Sequence, residues 1–177
     1  MTARIVIFGN SGSGKSTLAK ALSKLNRADH LDLDTIAWKA DEPTLRAAFE
    51  DSKIALLRFI EKRDAWVIEG CYSNLLREAA RYCTELIFLN PGVEACVKNC
   101  EARPWEPHKY PTPEAQDKNL SMLVEWVRDY ETRDDEFSLS EHRKLFDSHR
   151  GRKVEYSSSV EAERRACGRE VRDEHSV

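Results

Sequence analysis

Residues 9–16, Gly9-Asn-Ser-Gly-Ser-Gly-Lys-Ser16, satisfy G-x-x-x-x-G-K-[ST] at every fixed position. This octapeptide constrains the fold more than any other feature of the chain. Its glycines let a loop wrap backbone N–H groups around phosphate oxygens where a side chain would intrude. The positive end of a following helix points at the same anion. The flanks agree, because the β-branched run Arg4 to Phe8 precedes the loop and a helical pattern, Lys15 to Leu25, follows it. Glycines at 9, 12 and 14 do not fit the dinucleotide fingerprint G-x-G-x-x-G. A strand–loop–helix of this kind needs a parallel sheet around it.

The rest of the chain supplies one, as strand and helix signals alternate throughout. His30 to Leu33 reads as a second strand, and Pro43 to Lys62 as a long helix with Leu45, Phe49, Leu56 and Ile60 on one face. Ala65 to Glu69 and Glu85 to Leu89 are nearly continuous hydrophobic runs, as strands covered on both faces should be. Gly92 to Glu101 reads as the next helix. Residues 103–113 then hold four prolines in eleven positions, which excludes a helix interior or central strand and predicts a long, mobile loop. Glu114 to Glu131 resumes as helix. Ser138 to Arg150 is another, opened by a capping-box pattern of Ser138 and Glu141 and ended by Gly151. Lys153 to Tyr156 is a last strand. The expected organisation is one α/β domain over 1–159, with a lid at about 102–135 and a charged tail, 160–177, as a frayed helix or disordered segment.

Composition removes several function classes. With 33% charged residues and no long apolar run, no membrane span is expected and the cytoplasm is the expected compartment. A formal net charge of −3 and no visible basic stripe argue against a nucleic-acid partner. The odd cysteine count, five, fits reduced thiols, and Cys96 and Cys100 read as small buried apolar side chains.

The chemistry expected at the loop is that of ATP with Mg²⁺. Gly9, Asn10, Ser11, Gly12, Ser13 and Gly14 form the cradle, Lys15 reaches the β- and γ-phosphates, and Thr17 bonds a phosphate from the first helical turn. The Ser16 hydroxyl ligates the metal, and Asp32, or water alone, completes the metal shell, since Asn90 stands where a strand-end aspartate would be looked for. Ligands in such sheets bind beyond the carboxyl ends of strands, so the acceptor side is sought there. Asp32 and Asp34 share one face of an extended segment, one for the metal and one for an acceptor hydroxyl. Glu69, Gly70 and Tyr72 follow the third strand, a position equally suited to a helix start capped by Ser73. A closing arginine is expected among Arg103, Arg128, Arg133 and Arg143, with Arg103 and Arg133 as the candidates. Trp105, His108 and Tyr110 are either lid contacts or loop packing, and His142 and His149 read as surface residues.

The segments Gly-Asn-Ser-Gly-Ser-Gly-Lys-Ser-Thr-Leu-Ala, His-Leu-Asp-Leu-Asp-Thr-Ile-Ala-Trp-Lys, Trp-Val-Ile-Glu-Gly-Cys-Tyr-Ser and Asp-Glu-Phe-Ser-Leu-Ser-Glu-His-Arg-Lys-Leu-Phe-Asp resemble the adenylate-kinase-like P-loop kinases. Within that group the chain looks closest to shikimate-kinase-like and topology-modulation-type AAA ATPases. The resemblance implies a three-layer fold with a five-stranded parallel sheet, strand two beside strand one, and a lid. It also implies transfer of the γ-phosphoryl group of ATP to a hydroxyl or phosphate of a small molecule, by a monomer or homodimer. On that likeness Asp32 lies near magnesium, Asp34 near the acceptor, Arg46 at an acceptor carboxylate and Arg103 in the lid. Glu69-Gly-Cys-Tyr72 departs from the triple glycine of shikimate kinases and lacks the Pro-Arg of nucleoside-monophosphate kinases. A nucleoside or nucleotide kinase, and a regulatory or nucleic-acid-associated ATPase, are the alternative readings.

Overall fold

The computed structural model describes residues 2–39, 42, 45–107 and 110–167. Five parallel strands form one sheet: β1 (Arg4–Gly9), β2 (Asp29–Asp32), β3 (Trp66–Gly70), β4 (Glu85–Leu89) and β5 (Lys153–Tyr156), in the order β2-β3-β1-β4-β5. The helices are α1 (Lys15–Asn26), α2 (Asp34–Ala37), α3 (Phe49–Glu61), α4 (Ser73–Ala80), α5 (Val93–Glu101), α6 (Pro113–Arg128), α7 (Leu139–Ser148) and α8 (Ser159–Ala166).

The unbroken apolar runs have a plain structural cause. In β1, Ile5 and Ile7 face α1, where Leu18, Ala19 and Leu22 cover them. Val6 and Phe8 face the opposite layer, with Leu56 and Ile60 of α3, Leu75 and Leu76 of α4 and Leu145 of α7. Alternating side chains are therefore buried on both faces, each fully buried one stabilising by about 1.5–3 kcal/mol. A third, smaller core joins α5 to α6 through Cys96, Val97, Cys100, Val124 and Val127, which puts Cys96 and Cys100 among buried apolar side chains as read from the sequence.

Helix starts follow their caps. Thr112 Oγ1 accepts from the Ala115 N–H at 3.2 Å and Pro113 takes the first helical position of α6, where it needs no N–H partner. Ser138 Oγ accepts from the Glu141 N–H at 3.1 Å and starts α7. The Glu141 carboxylate does not complete a capping box, because it pairs with Arg77 and Lys144.

Several sequence expectations are corrected here. Strand two does not lie beside strand one: β3 stands between them and pairs with both. The long helix starts at Phe49, not near Pro43, which lies outside the described residues; Leu45 is exposed and Arg46 makes a bridge to Trp38. Ser73 is the first residue of α4 and its buried hydroxyl caps nothing. Helix α7 stops at Ser148, two residues short of Arg150, so Gly151 is not its cap. His142 is not a surface residue but wholly buried. The tail, expected as a frayed helix or disordered segment, is no correction: α8 packs against α1 as far as Ala166, and residues 168–177 lie outside the description.

Candidate active site

The phosphate loop leaves the carboxyl end of the central strand β1 and runs into α1. Gly12 has φ +78°, and a Cβ there would stand 2.2 Å from the Cys96 carbonyl oxygen and 2.8 Å from Cys100 Sγ. Gly14 has φ +94° with open space around it, so backbone conformation alone asks for glycine. Two asparagines tie the loop to the helices beside it. Asn99 Nδ2 on α5 donates to the Gly12 carbonyl at 2.8 Å, and Asn10 Nδ2 donates to the Val127 carbonyl of α6 at 3.0 Å. Asn10 Oδ1 also accepts from the Ser11 N–H at 2.8 Å. Gly9 and Asn10 thus support the loop from behind, while Ser11 to Thr17 line the open cleft. The Lys15 ammonium lies folded over the loop, donating to the Asn10 carbonyl at 2.7 Å.

Next to the loop the ends of β2 and β3 bring Asp32 and Glu69 into register. Glu69 is 2% exposed, with one carboxylate oxygen lacking a hydrogen-bond partner and His30 Nε2 at 3.6 Å. Burial pushes its pKa up, but His30, Lys15 and the Ser16 hydroxyl together outweigh that and hold the carboxyl below its usual range. Ser16, Asp32 and Glu69 are hard oxygen donors, the chemistry that suits Mg²⁺. Among the described residues no three His, Cys, Asp or Glu side chains form a metal cage; magnesium commonly keeps waters and phosphate oxygens instead. Asn90 is turned elsewhere, donating to Glu155 Oε1 at 3.1 Å.

A second wall of the same cleft is built around Asp34, Trp38 and Tyr72. Asp34 does not continue the extended segment of Asp32. Leu33 is helical in conformation and Asp34 opens α2, its N–H donating to Asp32 Oδ1 at 2.9 Å. The Tyr72 hydroxyl donates to Asp34 Oδ1 at 2.6 Å and accepts from Trp38 Nε1 at 2.9 Å. Burial, reinforced by the Asp34 charge, raises the Tyr72 pKa far above the ordinary phenol value, so the phenol stays a donor. Gly70 permits close packing, since a Cβ there would lie 2.9 Å from the Leu33 side chain.

Arg46 does not line the cleft. Its guanidinium stacks over Tyr72 at 4.5 Å, contacts the faces of Trp38 and Phe137, and pairs with Glu136 at 3.1 Å. Arg133 lies behind the wall in the same way, stacked over Trp126 at 4.3 Å and paired with Asp135 at 2.5 Å. Arg143 is held by Glu155 through two bonds of 2.6 and 2.8 Å, away from the cleft. Arg103 does line the cleft, paired with Glu106 at 3.2 Å. Its loop is tied back by Gln116, which accepts from the Glu106 N–H at 2.8 Å and donates to the Pro104 carbonyl at 3.2 Å. Trp105 is exposed, its Nε1 donating to the Tyr110 carbonyl; Tyr110 lines the cleft, and His108 lies outside the described residues.

The cleft holds about 900 Å³, and Thr17, Lys20, Asp34, Trp38, Trp126 and Phe137 all line it. Sequence reasoning passed over Asn99, Trp126 and Phe137 as site residues. A helical pattern reads Trp126 as one more apolar position, and nothing local marks Asn99.

The family model described as an AAA domain matches residues 5–121, about two thirds of the chain. No curated protein matches the sequence. Among solved structures, TT1252 from Thermus thermophilus is similar at 16% identity and TM-score 0.54, over 95% of this chain and 96% of that one. A gluconokinase from Sinorhizobium meliloti 1021 is similar at 18% identity and TM-score 0.51, over 94% and 90%. A shikimate kinase from Acinetobacter baumannii, solved with shikimate, reaches 16% identity and TM-score 0.45, over 82% and 92%. At these identities the first two establish a shared α/β fold.

Proposed function

This chain belongs to the AAA domain family, and from that premise we propose that it is a small-molecule kinase, moving the γ-phosphoryl group of ATP to an acceptor hydroxyl. One observation carries the reading. The phosphate loop and the Tyr72-held carboxylate of Asp34 line a single cleft of about 900 Å³, the upper end of the usual range for a ligand site. The gluconokinase likeness supports the reaction class at the level of fold.

Backbone N–H groups of Gly12 to Thr17 and the Lys15 ammonium hold the β- and γ-phosphates. Ser16 and Asp32, with Glu69 beside them, would hold magnesium, which when bound would supply neutralisation of charge on the transferred group. Lys15 leaves the Asn10 carbonyl to reach the phosphates. Asp34, fixed by the Tyr72 hydroxyl, orients the acceptor hydroxyl and takes its proton as the new O–P bond forms and the bond to the β-phosphate oxygen breaks. Arg103 lines the cleft whereas Arg133 is stacked on Trp126 outside it, which supports Arg103 as the closing arginine.

The direct test is Asp34→Asn, which keeps the shape and removes the proton acceptor. Transfer should fall by about a hundredfold or more, with ATP affinity nearly unchanged, whereas Asp32→Asn should raise the magnesium requirement. Full transfer activity in Asp34→Asn would remove the assigned role.

A further inference from the structure

We infer that Trp38 is a positioning residue for phosphoryl transfer: its indole N–H holds the Tyr72 hydroxyl and, through it, the Asp34 carboxylate; the inference rests on the kinase reading above. Three side chains form one run of bonds. Trp38 Nε1–H donates to the Tyr72 oxygen at 2.9 Å, and the Tyr72 O–H donates to Asp34 Oδ1 at 2.6 Å. An indole N–H can only donate, whereas a phenol carries one proton and accepts through its oxygen. Both bonds therefore run in one direction, toward the carboxylate. Such a run polarises itself, because a donor on the phenol oxygen makes the O–H a stronger donor in turn. The bond that orients Asp34 thus depends on Trp38.

The surroundings fix the indole as firmly as the phenol. Trp38 follows the single turn of α2 in extended conformation. The Ala47 N–H donates to the Ala37 carbonyl at 3.1 Å and the Lys39 N–H to the Leu45 carbonyl at 3.0 Å, so residues 37–39 lie alongside 45–47, with Trp38 bridged to Arg46. That pairing brings the Arg46 guanidinium over both rings, 5.3 Å from the Trp38 centroid and 4.5 Å from that of Tyr72. A planar guanidinium stacks on aromatic faces where an ammonium does not, and Glu136 holds it at 3.1 Å. Phe137 meets Tyr72 edge to face at 5.3 Å, and the tyrosine is 3% exposed. Trp38 also lines the cleft. Trp38→Phe separates the two roles, since it keeps an aromatic face and removes the N–H.

The test uses the full chain with ATP, magnesium and an acceptor panel of gluconate, shikimate, adenosine, guanosine, cytidine and uridine. It measures acceptor-dependent ADP formation with the compound that reacts fastest. Trp38→Phe should lower kcat by about two- to tenfold, the effect of losing one neutral hydrogen bond, with the KM values for ATP and acceptor little changed. Placed in Tyr72→Phe, the same substitution should add nothing, because the bond it removes is already gone. A ring that only packs would lower the rate equally in both backgrounds. A second readout needs no acceptor. The Trp38 indole proton, identified by NMR from its loss in Trp38→Phe, should exchange with solvent about two- to tenfold faster in Tyr72→Phe than in wild type. Equal effects in the two backgrounds, a change confined to the acceptor KM, or unaltered indole exchange overturns the inference and leaves the kinase reading standing. An absence of transfer to every compound overturns the inference and counts against the kinase reading as well.

Discussion

Acidification should destabilise this fold, and His142 should make a separable contribution. Its ring is wholly buried against the edges of Phe8 and Phe88, with Nε2 donating to the Cys71 carbonyl at 2.8 Å and Nδ1 accepting from the Tyr130 hydroxyl at 2.7 Å. Burial is the dominant cause that pulls its pKa from 6.5 to about 4. The folded value lies below the unfolded one, so between pH 6.5 and about 4 the unfolded chain binds more protons. Stability is therefore intact at neutral pH and is lost as pH falls through that window. Comparing the two binding curves gives a loss of about 2 kcal/mol at about pH 5 and at most roughly 3.4 kcal/mol below pH 4. Urea unfolding of wild type and His142→Phe over a pH series measures it. The variant leaves the Cys71 carbonyl and Tyr130 hydroxyl without their partner, a pH-independent cost of about 1–3 kcal/mol each. The wild-type stability should drop about 2 kcal/mol more than the variant's between about pH 7.5 and 5. Parallel pH profiles, or an NMR titration of the wild-type His142 ring with a midpoint near 6.5, would refute the reasoning.

Three further outcomes follow from the site geometry. Gly12→Ala should weaken nucleotide binding and stability far more than Gly14→Ala, because both positions have positive φ but only Gly12 has a carbonyl oxygen 2.2 Å from the added carbon; calorimetric ATP binding and thermal unfolding compare them. Asn10→Ala should lower unfolding free energy by about 1–3 kcal/mol through the orphaned Val127 carbonyl and weaken ATP binding, because the loop loses its tie to α6; unchanged values in both measurements would contradict the assigned support. Tyr72→Phe should lower phosphoryl transfer by about ten- to a hundredfold, the effect of losing a hydrogen bond to a charged group, measured as the initial rate at saturating ATP.

The sheet was legible in the sequence where burial is two-sided. Runs such as Trp66-Val67-Ile68 and Leu86-Ile87-Phe88 have no helical period, and the glycine pattern at 9, 12 and 14 admits one local geometry. Strand order is different in kind. It depends on which faces the crossovers cover, so nothing in His30-Leu31-Asp32 says that β3 lies between β2 and β1. Asp34 defeats local reading for another reason. A single helical turn over Asp34–Ala37 is too short to show a period, so the two aspartates look coplanar in sequence and are not in space. His142 sits in a polar helical segment, and only the packing of α7 onto Phe8 and Phe88 buries it. The side of the cleft on which Arg46 and Arg133 fall is likewise set by contacts with Phe137, Glu136 and Asp135, residues 90 and 2 positions away for the two ion pairs.

The central claim is that the γ-phosphoryl group of ATP ends on a small organic acceptor. Incubating the full chain with γ-labelled ATP, magnesium and the acceptor panel, then separating products, tests this most directly. The account predicts label on an organic acceptor with wild type and a loss of that product in Lys15→Ala, whose fold is retained. Label released only as inorganic phosphate, at a rate raised by added DNA and by no small molecule, would contradict it.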